Sequence, residues 1–217
     1  MSGPVKTSRR YDASRRREQA RATRRTVLEA AIALFLDRGY GATTMADVAG
    51  AAGVAVQTVY STVGGKAALL KEAYDVAITG DDEPVAVTDR PEILAVKREA
   101  DGLRKLELFA AYLAGVMART ARLDQVLQVA ADADGDVARL RDALYAARYE
   151  GMTEFAENLR AHGLLRRGVT VARAADVLVA HMDPVNYVHL VAERGWSRRE
   201  YQRWYVTVTA AVLFPSP

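Results

Sequence analysis

Apolar residues recur three and four positions apart along most of this chain, and nowhere do they alternate for long enough to make a strand. Val27, Ala30, Ala31, Leu34 and Phe35 fall on one face of a helix running from about Ser14 or Arg17 to Asp37, with Gly39 as its natural stop. Thr44 and Asp47 open a second helix, the threonine as N-cap and the aspartate at the positive end of the dipole. That helix turns Val48, Ala49 and Ala52 inward and ends at Gly53. Val56 to Val63 makes a third short segment with Val59 and Val63 on one side, and Gly64-Gly65 ends it. Lys66 to about Thr79 makes a fourth, whose buried stripe is Ala68, Leu69, Ala73 and Val76. The spacing predicts an all-α protein.

Gly80 to Pro91 is acidic and proline-punctuated (Asp81, Asp82, Glu83, Pro84, Pro91) and reads as a loop. Beyond it, helical periodicity returns at Glu92–Glu99, Leu103–Arg119 and Leu123–Ala131. A longer stretch from about Val137 to Ala161 uses Leu140, Leu144, Tyr145, Met152, Phe155 and Leu159. Thr170 to Val191 is expected to kink or break at Asp183-Pro184. Ser197 and Glu200 have the spacing of a capping box, and the helix they open runs through Tyr201, Trp204, Tyr205, Val208 and Val212 to Leu213.

Composition narrows the function classes. Half of the 217 residues are apolar and 26% are charged, enough for a packed core. With no cysteine there is no disulfide framework, thiolate metal site or cysteine nucleophile. The longest uncharged run, Val48 to Gly65, contains four glycines and is no membrane span, and no apolar core follows the N-terminal charges as in a secretory signal. His162, His181 and His189 lack metal-ligand spacing, and Pro184 separates the last two. No acid–base pair, nucleophile arrangement or phosphate loop stands out, so neither an enzyme nor a cofactor is expected.

Charge is unevenly spread. Residues 1–25 carry Lys6, Arg9, Arg10, Arg15, Arg16, Arg17, Arg21, Arg24 and Arg25 against Asp12 and Glu18, a net +7, which leaves the other 192 residues at −4. A basic arm on a mildly acidic body points to a polyanionic partner for the arm. A membrane surface or an import receptor would also ask for apolar residues at helical spacing, and the arm offers little beyond Val5 and Tyr11. A merely solvated tail is the plain alternative.

Two short helices joined by a glycine-containing turn, Thr44–Ala52 and Val56–Val63, have the dimensions of a helix-turn-helix. The second spends outward positions on Gln57, Thr58, Tyr60 and Ser61, where a hairpin built only for packing would more often carry lysine and glutamate. From Arg24 to Ala77 the sequence resembles the DNA-binding domain of the TetR/AcrR family of bacterial transcriptional regulators. The matching pieces are Ala30-Ala31 and Leu34-Phe35 before Gly39-Tyr40, Thr43 to Ala49, Ala52-Gly53-Val54, Thr58-Val59-Tyr60 and Gly65 to Leu70. Gly195-Trp196-Ser197 and Tyr201 to Trp204 resemble, more loosely, the entry to the last dimerisation helix of one subgroup. Two positions depart from the pattern: Ala55 stands where a serine N-cap is usual, and Val63 where an aromatic follows the tyrosine by three.

The resemblance implies phosphate contacts from Thr44, Tyr60 and Lys66, with Arg24 and Thr43 completing the DNA-facing set. The chemistry of the reading helix suits Gln57 to adenine, Val56 to a thymine methyl, and Thr58 and Ser61 to a groove edge or a phosphate. A lysine at a helix N-terminus opposes the dipole, so Lys66 asks for a specific reason. The implied organisation is a basic arm at 1–21, a helix-turn-helix domain at 22–79, a linker at 80–91 and a ligand-binding and dimerisation domain at 92–217. Ligand candidates in the last are Tyr112, Met117, Tyr145, Tyr149, Met152, Phe155, His181 and Tyr187; dimer-interface candidates are Trp204, Tyr205, Val208 and Val212.

The expected protein is a cytoplasmic, nucleoid-associated bacterial homodimer on a pseudo-palindromic operator, released by a small-molecule inducer. The alternatives are an activator or ligand-independent regulator of the same fold, or a membrane-surface adaptor using the arm. Arginine outnumbers lysine 25 to 5, the habit of a GC-rich genome.

Overall fold

The computed structural model describes residues 6–81, 83 and 85–215, with side-chain surroundings from residue 15 onward. The first five residues of the arm, and Asp82 and Pro84 of the acidic loop, lie outside the described residues. All regular structure among the described residues is helical, and the chain forms two compact units that divide between Asp75 and Val76. No described helix is long and apolar enough to cross a membrane.

The first unit is built from α1 (Lys6–Ala42), α2 (Met45–Ala52), α3 (Val56–Val63) and most of α4 (Lys66–Thr79). Helix α1 begins well before the expected Ser14: the backbone of the basic arm is helical from Lys6 onward and continuous with the core helix. The core-facing side of α1 is Val27, Leu28, Ala31 and Phe35, all within 2% of full burial. Its helical path fails at Gly39, where φ of +78° is a conformation that glycine adopts without strain. The Phe35 and Tyr40 rings meet at 5.7 Å just past the break. Helix α2 contributes Met45, Val48 and Ala49, α3 contributes Val59 and Val63, and α4 contributes Leu69, Leu70, Ala73 and Tyr74 to the buried residues. Truncating a side chain as enclosed as Phe35 to alanine costs about 3–5 kcal/mol.

The second unit holds the last turn of α4 and α5 (Pro91–Arg98), α6 (Gly102–Ala131), α7 (Gly135–Ala161), α8 (Val171–His181), α9 (Pro184–Tyr187) and α10 (Arg198–Leu213). The expected boundary after residue 79 differs from this division, for a local reason. Arg119 donates from Nε to the Ala77 carbonyl at 2.7 Å and from a terminal nitrogen to the Ile78 carbonyl at 2.8 Å, fastening the end of α4 to α6. The expected linker is likewise tied in: Arg90 grips the Asp81 carboxylate with two hydrogen bonds of 2.8 Å. That guanidinium draws the Asp81 carboxyl down to about 2.

Leu103–Arg119 and Leu123–Ala131, read as separate stretches, are one 30-residue helix about 45 Å long. Its buried stripe of Leu106, Phe109, Ala110, Leu113, Ala114, Met117 and Leu127 meets α5, α7, α9 and α10. The break at Asp183-Pro184 is present: Asp183 caps α9 by accepting from the Val185 amide at 2.9 Å. A π-helical turn, Val188–Glu193, follows. Ser197 and Glu200 close the expected capping box at the start of α10.

Candidate nucleic-acid interface

The sequence between Thr43 and Lys66 folds locally for reasons that can be read atom by atom. The Thr44 hydroxyl accepts from the Asp47 amide at 3.1 Å, and the Asp47 carboxylate takes the Thr44 amide at 2.8 Å, a complete capping box. The Thr44 hydroxyl, donating to the same carboxylate at 2.6 Å, and then the Thr44 amide hold the Asp47 carboxyl below its usual range. Gly53, at φ +66°, turns the chain out of α2, and the next amide, of Val54, returns to the Ala49 carbonyl at 3.0 Å. Ala55 then opens α3 with no side-chain cap.

Helix α3 sorts its residues cleanly. Val59 and Val63, four apart, are buried. Val56 and Tyr60, also four apart, are 40% and 48% exposed, and Gln57 and Ser61 extend the same outward face. Thr58 is half-buried. The Ser61 and Thr62 hydroxyls both donate to the Thr58 carbonyl, at 3.0 and 2.6 Å, which leaves their lone pairs free to accept. The outward face is therefore apolar and hydrogen-bonding, with no formal charge.

Several of the expected DNA-facing residues already have partners within the protein. Thr43 is 1% exposed, and its hydroxyl donates to the Gly39 carbonyl at 2.8 Å. It closes the end of α1 and has no surface for a phosphate, which corrects the expectation for this residue. Arg24 is half-buried, with its guanidinium on the Glu72 carboxylate of α4 at 3.0 Å. Lys66, half-exposed at the start of α4, has an intramolecular reason for its place: its ammonium sits 4.2 Å from the centre of the Tyr40 ring and 3.4 Å from the Gly41 carbonyl. Nothing in the sequence spacing singled out Tyr40 or Glu72 as partners. On α1, Arg15, Arg17 and Arg21 are exposed.

Residues 27–73, which span this geometry, match the family model of bacterial regulatory proteins, tetR family. The chain is 29% identical over 175 residues to the HTH-type transcriptional regulator TtgR of Pseudomonas putida, covering 78% of this chain and 80% of that one. In residues 27–73 the chain is similar to the tetR family of bacterial regulatory proteins. The protein it matches along most of its length is a transcriptional regulator. Two solved TetR-like structures share its fold. NalD of Pseudomonas aeruginosa, the secondary repressor of the MexAB-OprM multidrug efflux pump, has a TM-score of 0.67 at 19% identity, over 92% of this chain and all of that one. MexZ, a repressor of the same organism, has a TM-score of 0.62 at 21% identity, over 91% and 97%.

The structure sorts the ligand and dimer candidates of the second unit by burial. Met117, Met152, Phe155 and Tyr187 are buried in its core, and Tyr112 and His181 are half-buried at its margin. Tyr145 and Tyr149 are not interior: they are 39% and 43% exposed on the outer side of α7, where they meet Gln128 and Asp176. The periodicity of α7 carries apolar groups on more than one face, so it did not separate these two from Met152 and Phe155. Trp204, Val208 and Val212 are half-buried on α10. Tyr205 is fully buried against Phe109 at 5.8 Å and offers nothing to a second copy, a further correction.

Proposed function

We propose that this chain is a TetR-family homodimeric repressor that reads a pseudo-palindromic operator through α3 and leaves it when a small molecule occupies the second unit. The uncharged outward face of α3, set in the same unit as a helical run of arginines, supports the reading most directly. In this reading Gln57 pairs with adenine, Val56 meets a thymine methyl, and Ser61 and Thr58 accept or donate at a groove edge. Thr44, Tyr60 and Lys66 lie against phosphates, where the free amides at the start of α4 also favour an anion. Arg24 contributes through its field, since Glu72 holds its guanidinium.

Dimerisation through the half-covered face of α10, with Trp204, Val208 and Val212, would set two α3 helices about one turn of DNA apart. Repression is the role printed for NalD and MexZ, and it is carried to this chain by analogy of fold. An inducer acts only if it favours one conformation, because equal affinity for two states shifts neither.

The test is selection of bound sequences from a random double-stranded DNA pool at moderate salt with competitor. Recovery of an inverted repeat is the expected result. Binding that shows no motif and vanishes as salt rises would leave only the electrostatics of the arm, and the specific-repressor reading would fall.

A further inference from the structure

Between residues 26 and 65 the chain carries three carboxylates, Glu29, Asp37 and Asp47, and a single cation, Arg38. Arg38 immediately precedes the Gly39 break in α1, and its guanidinium lies 3.5 Å from the Asp37 carboxylate and 4.0 Å from that of Asp47. Asp47 belongs to the capping box of α2, so this one cation stands beside the start of that helix.

The neighbouring cations of the first unit are held more closely. Arg24 lies on Glu72 at 3.0 Å, Lys71 on Asp75 at 2.6 Å, and the Lys66 ammonium over the Tyr40 ring. Arg38 makes no hydrogen bond among the described residues, and 52% of its side chain is exposed. Both of its acidic neighbours are also open to solvent, and ion pairs this long and this exposed add little to folding stability. The fold therefore gives Arg38 little to do.

An anion at the start of α2 gives it a task. In a helix-turn-helix the first helix crosses the DNA backbone, and Thr44 is exposed at that end of α2. A phosphate brought to Thr44 meets the negative charges of Asp37 and Asp47, which repel it. Asp47 is fixed in place, because the Thr44 hydroxyl and amide hold its carboxylate at 2.6 and 2.8 Å. A guanidinium carries five donors in a planar fork, enough to serve a carboxylate and a phosphate together.

We infer that Arg38 is a further DNA-binding residue, whose guanidinium bridges the Asp47 carboxylate and the DNA phosphate that Thr44 faces. This rests on the DNA-reading function proposed above and adds to it a contact that sequence reasoning missed.

The full-length protein and its Arg38→Gln, Arg38→Lys and Asp37→Asn variants are titrated at several salt concentrations with the duplex recovered from the random pool. The titrations are repeated with duplexes in which one phosphate at a time is a neutral methylphosphonate. Arg38→Gln is expected to bind about fivefold more weakly for each bound protomer at 0.15 M salt, and to lower the salt slope by about 0.9 for each. Asp37→Asn, which removes a repelling charge, is expected to bind at least as tightly as the parent. One methylphosphonate position is expected to weaken the parent and leave Arg38→Gln unaffected, a coupling that a merely structural arginine does not produce. A parent-like slope in Arg38→Gln, or the same methylphosphonate profile in parent and variant, would confine Arg38 to a surface ion pair and overturn the inference. Should Arg38→Gln melt well below the parent, Arg38→Lys carries the comparison. Its ammonium is expected to keep the parent's slope but to blunt the loss at that one phosphate, and an unaltered profile overturns the inference. The two readings fail separately. If the pool yields no inverted repeat, the specific-repressor reading falls, and the slope on any fixed duplex still decides the role of Arg38. An inverted repeat that Arg38→Gln binds with the parent's slope and profile leaves that reading standing and sinks this one.

Discussion

The Lys66 ammonium lies over the Tyr40 ring, 4.2 Å from its centre, and joins the first turn of α4 to the residue just past the Gly39 break in α1. A cation at a helix N-terminus opposes the dipole, and this contact offsets that cost by about 0.5–1 kcal/mol. Lys66→Gln is expected to lower the stability of the first unit by that order, as measured by urea unfolding. It is also expected to reduce the slope of log affinity against log salt by about 0.9, the value of one neutralised phosphate. A stability loss with an unchanged slope would confine Lys66 to the inside of the protein.

Helix α3 starts without a side-chain cap, because Ala55 has no oxygen to offer the first free amides. Ala55→Ser restores an acceptor at an exposed position with extended backbone already suited to it. The expected gain is about 1 kcal/mol in unfolding free energy. Because α3 carries the outward face built on Gln57 and Tyr60, the same variant is expected to bind DNA at least as tightly as the parent. Weaker binding would mean that the loose start of α3 is needed to fit the groove.

The arm is helical from Lys6, and the arginines in it whose surroundings are described, Arg15, Arg16, Arg17 and Arg21, are exposed. Removing residues 1–21 is expected to flatten the salt slope by several units, at about 0.9 for each lost phosphate contact, while base preference persists. Ala20→Pro keeps every charge but costs about 3 kcal/mol of helix at that point, and an intermediate slope is expected. Titrations of a selected and a scrambled duplex at several salt concentrations check both. A truncated protein with the parent's slope would reduce the arm to a solvated tail.

His181 shares a hydrogen bond of 3.0 Å with the buried Thr209 hydroxyl, and burial holds its imidazole below the ordinary histidine range. Below about pH 6.5 the unfolded chain takes up a proton that the folded chain refuses, so stability is expected to fall as the pH drops from there. Above that value the group contributes no pH dependence. His181→Asn is expected to flatten the decline between pH 7 and 5 in chemical unfolding. An unchanged decline in His181→Asn would assign it to other groups.

Much of the backbone was legible because its signals are local. Thr44 with Asp47, and Ser197 with Glu200, declare helix starts by a spacing of three, and the structure closes both boxes. The all-α fold followed from periodicity alone. The single long α6 did not, because Thr120 reads as a polar interruption; its hydroxyl is in fact satisfied by the Val116 carbonyl, and the residue is buried. Site residues were harder still. Thr43 and Thr44 are adjacent and chemically alike, yet one is consumed by the Gly39 carbonyl and the other stands at the surface. Only the fold decides that. Lys105, fully buried between the Lys97 carbonyl and the Asn158 side chain, gives no warning in sequence of being anything but a surface lysine.

Helix α3 bears no ionised group, whereas the arginines crowd onto α1. Ionic strength then governs how long such a protein dwells on any DNA, but has little leverage on which bases it prefers. Grip and address are separable traits here. A lineage can loosen or tighten one by trading arginines along α1 without rewriting the other, and can move to a new operator through α3 at nearly constant non-specific affinity.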